Sequence, residues 1–157
     1  MENRIIDRAK LKQISDNLKL SGLKVVTTNG CFDILHSGHV GILSSARALG
    51  DVLIVGINSD ESVRKLKGPG RPINSEQDRA EVLSALRSVD FVTIFAEDTP
   101  VEFLTIVRPN IHVKGADYKP EQLAETPVVE RFGGKVQILD LLPGKSTSSI
   151  VERMKDN

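Results

Sequence analysis

Residues 51–58 read DVLIVGIN, a nearly continuous apolar run. A strand with one face in water alternates apolar and polar side chains; a strand without that alternation needs cover on both faces. A parallel sheet packed between two layers of helices supplies the cover. Shorter, Val- and Ile-rich runs at 24–28, 90–95, 111–114 and 135–139 predict four more strands. Helical spacing lies around and between them. Residues 4–20 place Ile6, Ala9, Leu11, Ile14 and Leu18 at helical intervals and stop at Ser21-Gly22. Residues 37–49 form a helix that stops at Gly50, and a short helix from Ser59 reaches about Leu66. Residues 75–87 form another, capped by Asn74 or Ser75, with acidic residues in its first turn. Thr99 as N-cap and Pro100 at the first position open a helix that ends near Val107. Residues 120–131 are predicted helical, interrupted or kinked near Pro127, and 146–154 form the last helix. The chain therefore predicts an α/β fold: a doubly wound, five-stranded parallel sheet with helices on both faces. It is expected to be one domain over 1–157, an N-terminal helix within 1–22 preceding a core over 23–155. In such sheets ligands sit at the carboxyl ends of the strands. The polar turns after strands one, two, four and five are the places to look.

Composition excludes several classes. Lys plus Arg and Asp plus Glu balance at 21 each, so no global charge argues for nucleic acid or an acidic membrane. No apolar run approaches the ~18 residues of a transmembrane helix, and the charged N-terminus, MENRIIDRAKLKQI, does not read as a signal peptide. A single cysteine rules out an internal disulfide framework and fits a reducing compartment. The expectation is a cytoplasmic protein that binds neither nucleic acid nor membrane.

Four stretches carry candidate chemistry. The first runs Thr28-Asn29-Gly30-Cys31-Phe32-Asp33-Ile34-Leu35-His36-Ser37-Gly38-His39, from strand to helix start. His36 and His39, at i and i+3, share a face where the helix offers free N–H groups and a partial positive charge, a place for phosphate. Gly38 would let phosphate or ribose approach the backbone. The alternative is two histidines satisfied locally; zinc lacks a third ligand, since His112 lies in a predicted strand. The second, Lys65-Leu66-Lys67-Gly68-Pro69-Gly70-Arg71-Pro72, is either a solvated basic loop or a mobile arm carrying cations to a polyphosphate, with Arg79 one turn into the next helix. The third, Gly144-Lys145-Ser146-Thr147-Ser148-Ser149, lacks the first glycine of a Walker A loop, Leu139 standing there. Hydroxyls opening a helix are still either plain caps or a phosphate nest. The fourth is Lys114-Gly115-Ala116-Asp117-Tyr118, where Asp117 is a turn residue or a contact for sugar hydroxyls or a metal. Cys31 has no paired base other than His36, which argues against a covalent cysteine mechanism.

Asn29-Gly30-Cys31-Phe32-Asp33-Ile34-Leu35-His36-Ser37-Gly38-His39 resembles the H-x-G-H signature of the cytidylyltransferase-like nucleotidyltransferases, and Gly144-Lys145-Ser146-Thr147-Ser148 resembles their second, I-S-T-S/T signature. Within that superfamily, Asn58-Ser59-Asp60, Leu66-Lys67-Gly68, Arg71-Pro72-Ile73-Asn74, Asp98-Thr99-Pro100 and the stretch from Val113 to Glu121 resemble the adenylyltransferases of D-glycero-β-D-manno-heptose 1-phosphate. Those often form the second half of a bifunctional kinase–adenylyltransferase. The lead-in Leu142-Pro143-Gly144-Lys145 departs from the Arg-containing lead-in of the glycerol-3-phosphate and choline-phosphate branch, and leaves Lys145 as a substitute cation.

The resemblance implies a Rossmann-like sheet and transfer of AMP from ATP to a sugar 1-phosphate, releasing pyrophosphate, for lipopolysaccharide or surface-glycan synthesis. It implies cytidylyl or guanylyl transfer to another phosphorylated sugar or alcohol as the alternative, with a non-catalytic nucleotide sensor further off. His36, His39 and Lys67 are implied as catalytic. Thr28, Asn29, Gly30, Cys31, Phe32, Gly38, Arg79, Lys114, Gly115, Asp117, Ser146, Thr147 and Ser148 are expected to bind nucleotide. Asp33, Arg71 and Asn58 are expected to bind the sugar phosphate, with Asp33 a candidate for its hydroxyls or for Mg²⁺. Mg²⁺ is expected to be held mainly by the triphosphate. With no kinase half expected in this sequence, a separate sugar kinase would supply the substrate; a homodimer or higher homo-oligomer is expected.

Overall fold

The computed structural model describes residues 3–140 and 142–156. Five strands, β1 (Val25–Gly30), β2 (Val52–Asn58), β3 (Phe91–Phe95), β4 (Ile111–Gly115) and β5 (Lys135–Leu139), form one sheet in the order β3-β2-β1-β4-β5. Every neighbouring pair is parallel. All of β2 is buried, as its unbroken apolar sequence demanded. The chain winds outward from β1 through β2 to β3, then returns across the sheet to β4, so the winding reverses beside β1.

Alternate residues of a strand face opposite layers. Val26, Leu53 and Val55 pack in one core with Leu43 and Ala46 of α2 (Ser37–Arg47) and Ala80 and Leu83 of α4 (Glu76–Ser84). Val25, Val52 and Ile54 pack in the other with Leu11 of α1 (Arg8–Leu20), Phe103, Leu104 and Val107 of α5 (Val101–Val107) and Val129 of α6 (Thr126–Arg131). The remaining helices, α3 (Asp60–Lys67) and α7 (Thr147–Lys155), carry residues of the carboxyl edge.

Three local expectations change. The first helix starts at Arg8 behind an Asp7 cap, not at residue 4. Ahead of it the chain is extended: Val92 N–H donates to Arg4 O (2.9 Å) and Ile6 N–H to Val92 O (2.9 Å). Ile6 is thus buried by strand-like pairing and not by a helix face. Pro100 occupies the N-cap of α5, and Thr99 makes no cap there. The segment expected to be a helix interrupted or kinked near Pro127 is interrupted, but ahead of that proline: a 3₁₀ turn at Pro120–Gln122 is followed by α6. Pro127 falls in the first turn of α6, where a missing N–H costs no helical bond.

Candidate active site

A cleft of about 590 Å³ opens at the carboxyl edge of the sheet. Thr28, Asn29, Gly30, Cys31 and Phe32 form its floor beside His39; Asn58, Lys67 and Arg71 line one side; Lys114, Gly115 and Asp117 line the other, with Thr147 at the mouth. Sequence expectation also named His36, Gly38, Arg79, Ser146 and Ser148, which do not line the cleft wall.

The two histidines are built into the start of α2. His36 is the N-cap, and its Nδ1 accepts from Gly38 N–H at 3.1 Å; His39 is three residues on, and its Nδ1 accepts from His36 N–H at 3.3 Å. A backbone N–H can only donate, so each Nδ1 must present a lone pair. A neutral imidazole then carries its proton on Nε2. The rings stack with centroids 3.8 Å apart, and Phe32 lies against His39 at 5.4 Å. Burial, and then the neighbouring His36, lowers the pKa of His39 from the ordinary 6.5 to about 4; burial and then Lys145 lower that of His36. His36 Nε2 is buried without a hydrogen-bond partner among the described residues. The helix start therefore holds two neutral N–H donors, one opening on the cleft. Gly38 has a local reason that differs from the expected one. A Cβ there would come within 2.8 Å of the His36 ring and 3.0 Å of Lys145 Cβ, so a side chain would break the cap.

Asp33 lines the cleft, but its carboxylate is already engaged by the chain. Its side chain is 1% exposed and accepts from Arg71 Nε (3.0 Å), Ile73 N–H (2.8 Å) and Asn74 N–H (3.0 Å). Burial pushes its pKa up, but the Asn74 and Ile73 amides and Arg71 outweigh that and hold it below the usual carboxylate value. Its neighbours Phe32 and Ile34 adopt φ of 49° and 53°, a left-handed conformation that costs non-glycine residues of order 1–3 kcal/mol. That strained turn drives the carboxylate inward, where it anchors the loop carrying Arg71. The Asp33 carbonyl also accepts from Thr147 Oγ1 at 2.8 Å, tying α7 to the same turn. In this structure the residue expected to contact substrate anchors the loop at the cleft wall, its donors all coming from the chain.

Arg79 is likewise turned away from phosphate. It is 2% exposed, and its guanidinium donates to Asn74 O (3.1 Å), Cys31 O (2.6 Å) and Asp60 Oδ1 (2.8 Å). Its donors brace the floor from below. Of the hydroxyl run, Ser146 caps α7 by accepting from Ser149 N–H, Ser148 is exposed, and Thr147 reaches the cleft. Cys31 has its thiol 3.9 Å from Asn58 Oδ1 and its pKa raised by burial, the reverse of an activated nucleophile. Among the described residues, Arg71 and Lys114 of the cleft are paired with Asp33 and Glu125, whereas Lys67 has no carboxylate within ion-pair distance.

Some lining residues escaped the sequence reading. The turn after β3 contributes Asp98, Thr99 and Pro100, and the segment around the 3₁₀ turn contributes Gln122 to Glu125. Asp98-Thr99-Pro100 entered the resemblance without a site role, Thr99-Pro100 otherwise reading as a helix start, and Glu125 read as a mid-helix residue. No spacing marks Glu125; its place follows from the break between the 3₁₀ turn and α6.

The cytidylyltransferase-like family model matches residues 27–153. The chain is 49% identical over 155 residues to the bifunctional protein HldE of Syntrophotalea carbinolica and 51% identical over 153 residues to that of Caulobacter vibrioides. These alignments cover 99% and 98% of this chain and 32% of each relative, so the chain spans about a third of the length of these curated relatives. Among solved structures, a lipopolysaccharide core biosynthesis protein from Thermoplasma volcanium superposes with a TM-score of 0.65 at 30% identity, covering 77% of this chain and 98% of that one. Pantoate-beta-alanine ligase from Francisella tularensis, solved with a β,γ-ATP compound and β-alanine, superposes with a TM-score of 0.61 at 16% identity, covering 96% and 76%; it shares the fold.

Proposed function

This chain belongs to the cytidylyltransferase-like family, and from that premise we propose that it joins the AMP part of ATP to D-glycero-D-manno-heptose 1-phosphate, giving ADP-heptose and pyrophosphate for surface-glycan synthesis. The observation that carries this reading is the pair of neutral imidazole N–H donors at the start of α2, the His36 donor having no partner among the described residues. The similarity to the HldE proteins supports the choice of substrates.

The reaction asks little of acid–base chemistry. An oxygen of the sugar 1-phosphate attacks the α-phosphorus of ATP; the new P–O bond forms as the bond to the pyrophosphate oxygen breaks, and the electron pair leaves with pyrophosphate. The nucleophile is already an anion, so no general base is needed. The chain supplies alignment and charge stabilisation. His39, which faces the cleft, would donate to the α-phosphate as its charge spreads, and His36 to the α- or β-phosphate. Lys67 would neutralise the attacking or leaving phosphate, since it alone of the three cleft cations has no carboxylate partner among the described residues. The amides of the β1 turn and of Thr147 would hold the remaining phosphate oxygens. Among the described residues no group of three or more His, Cys, Asp or Glu could hold an ion; Mg²⁺ would enter on the triphosphate, keeping several of its waters.

A sugar kinase, on the same or another chain, would supply the heptose 1-phosphate. No helix of the described residues is long and apolar enough to cross a membrane, and we place the reaction in the cytoplasm, where ATP is at hand. The same reading includes a homodimer or higher homo-oligomer, which light scattering would size. The deciding experiment incubates the protein with each nucleoside triphosphate, Mg²⁺ and heptose 1-phosphate while pyrophosphate is measured. ATP is expected to give the fastest release. Faster release with CTP or GTP would replace the adenylyl assignment, and none with any triphosphate would reject the transfer itself.

A further inference from the structure

Across the line where the winding of the sheet reverses, β1 and β4 carry a buried polar relay that the transfer chemistry does not use. Glu125, 4% exposed, receives Lys114 Nζ at 3.2 Å; the same Nζ donates to Asn29 Oδ1 at 3.2 Å and lies 4.5 Å from the centre of the Tyr118 ring. Below them His112 is fully buried, with Nδ1 2.8 Å from Thr27 Oγ1 and Nε2 4.0 Å from Glu125 Oε1. His112 Nε2 has no hydrogen bond among the described residues.

Burying an ion pair costs desolvation that an apolar pair of the same volume would avoid. The pair is therefore poorly explained by stability, and its geometry offers another reason. An ammonium can only donate, so the Asn29 atom that meets Lys114 is its carbonyl oxygen, and the Asn29 NH₂ faces the other way. Asn29 lines the cleft floor in the turn that leads to His36. Lys114 in turn is held by Glu125, whose carboxylate neutralises it, so this side of the cleft carries an oriented donor and no net positive charge. When the His112 proton is on Nε2, the Thr27 hydroxyl donates to Nδ1 and the N–H faces Glu125, which keeps the carboxylate from turning away.

We propose that Glu125 is a positioning residue: through Lys114 it fixes the Asn29 amide as a donor to the bound nucleotide. The inference rests on the nucleotidyl-transfer reading for the identity of the ligand. It assigns the β4 side of the cleft to oriented, neutral recognition of the nucleotide and leaves Lys67, which has no carboxylate partner among the described residues, on the opposite side.

The test is calorimetric titration of ATP with Mg²⁺ into the wild-type chain, Glu125→Gln, Asn29→Ala and the double variant, each checked for an intact melting transition. Glu125→Gln keeps the shape and removes the charge. Its Kd for ATP is expected to rise about tenfold, the equivalent of one buried hydrogen-bond partner. Asn29→Ala is expected to do the same, and the double variant to bind no worse than Asn29→Ala alone, because both act through one amide. A structural role for Glu125 would lower the melting temperature and leave the Kd of the folded protein unchanged. That outcome, or losses that multiply in the double variant, overturns the inference. If Glu125→Gln does not fold, Glu125→Asp, which keeps the charge but draws it back from Lys114, is read in the same cycle. A wild-type chain that binds no ATP overturns the nucleotide reading, and this inference with it; ATP binding with additive losses overturns this inference alone.

Discussion

The two histidines at the start of α2 differ in what they face, although the same capping geometry fixes the proton of each on Nε2. His39 opens on the cleft and is held neutral, its pKa near 4. Loss of a preorganised donor of this kind costs about 3 kcal/mol, so His39→Ala should lower kcat about 10²-fold or more; unchanged turnover from a folded variant would remove His39 from the mechanism. Lys67 acts differently, as a charge at the end of α3 with no carboxylate partner among the described residues. Lys67→Ala should lower kcat/KM for the sugar phosphate or ATP by weakening capture of the phosphates, with little change in melting temperature because its side chain is exposed. Equal kcat/KM values for variant and wild type would take the loop cation out of the reaction.

At the scale of elements, the cationic loop after α3 is held in place by a residue from another turn. Asp33 gathers Arg71 and the amides of Ile73 and Asn74, while its carbonyl takes Thr147. Two segments distant in sequence, the 71–74 loop and the start of α7, therefore depend on one strained turn. Asp33→Asn replaces an acceptor oxygen by an NH₂ that faces donors. The expected cost is about 2–3 kcal/mol, as for a buried charged acceptor whose donors are left unpaired, seen as a lower melting temperature together with a raised KM. An Asn variant with wild-type stability would show that the loop is not anchored there. The stretch Lys67 to Asn74 was legible as a basic loop, and Lys67 and Arg71 do reach the cleft. That Arg71 would arrive already paired was not legible, because its partner lies 38 residues away with no local signal joining them.

For the whole molecule, the buried histidines set how stability responds to acid. His39 and His112 have folded pKa values near 4 and near 3, against 6.5 for an exposed imidazole, with burial the main cause in both. Between those values the unfolded chain binds protons that the folded chain excludes, so stability must fall as pH falls. The loss begins as pH drops through about 6.5 and is complete for His39 only below about 4, and for His112 only below about 3. Asp33, whose folded pKa is lowered, adds to it below the ordinary carboxylate range. Melting temperature measured from about pH 7 to about pH 4 should decline, and His39→Asn should decline less steeply; equal slopes would mean that His39 titrates normally in the folded protein.

The sequence by itself determined what local chemistry can determine. DVLIVGIN required cover on both faces, the alternation of strands and helices required a parallel sheet, and Ser59, Ser75 and Ser146 announced helix starts that the structure places at those caps. The His36–His39 spacing put both rings on one helix end. Only the tertiary structure decided which polar residues face the cleft and which face each other. Arg79 and Asp33 carry the same chemistry as phosphate and hydroxyl ligands, yet both are spent on internal partners far away in the chain. Glu125 has no motif, and acquires its place when the turn before α6 folds it under Lys114. Charge and hydrogen-bonding capacity are written in each residue. Their direction is set by long-range packing, because a buried donor or acceptor must find its partner wherever the fold brings one.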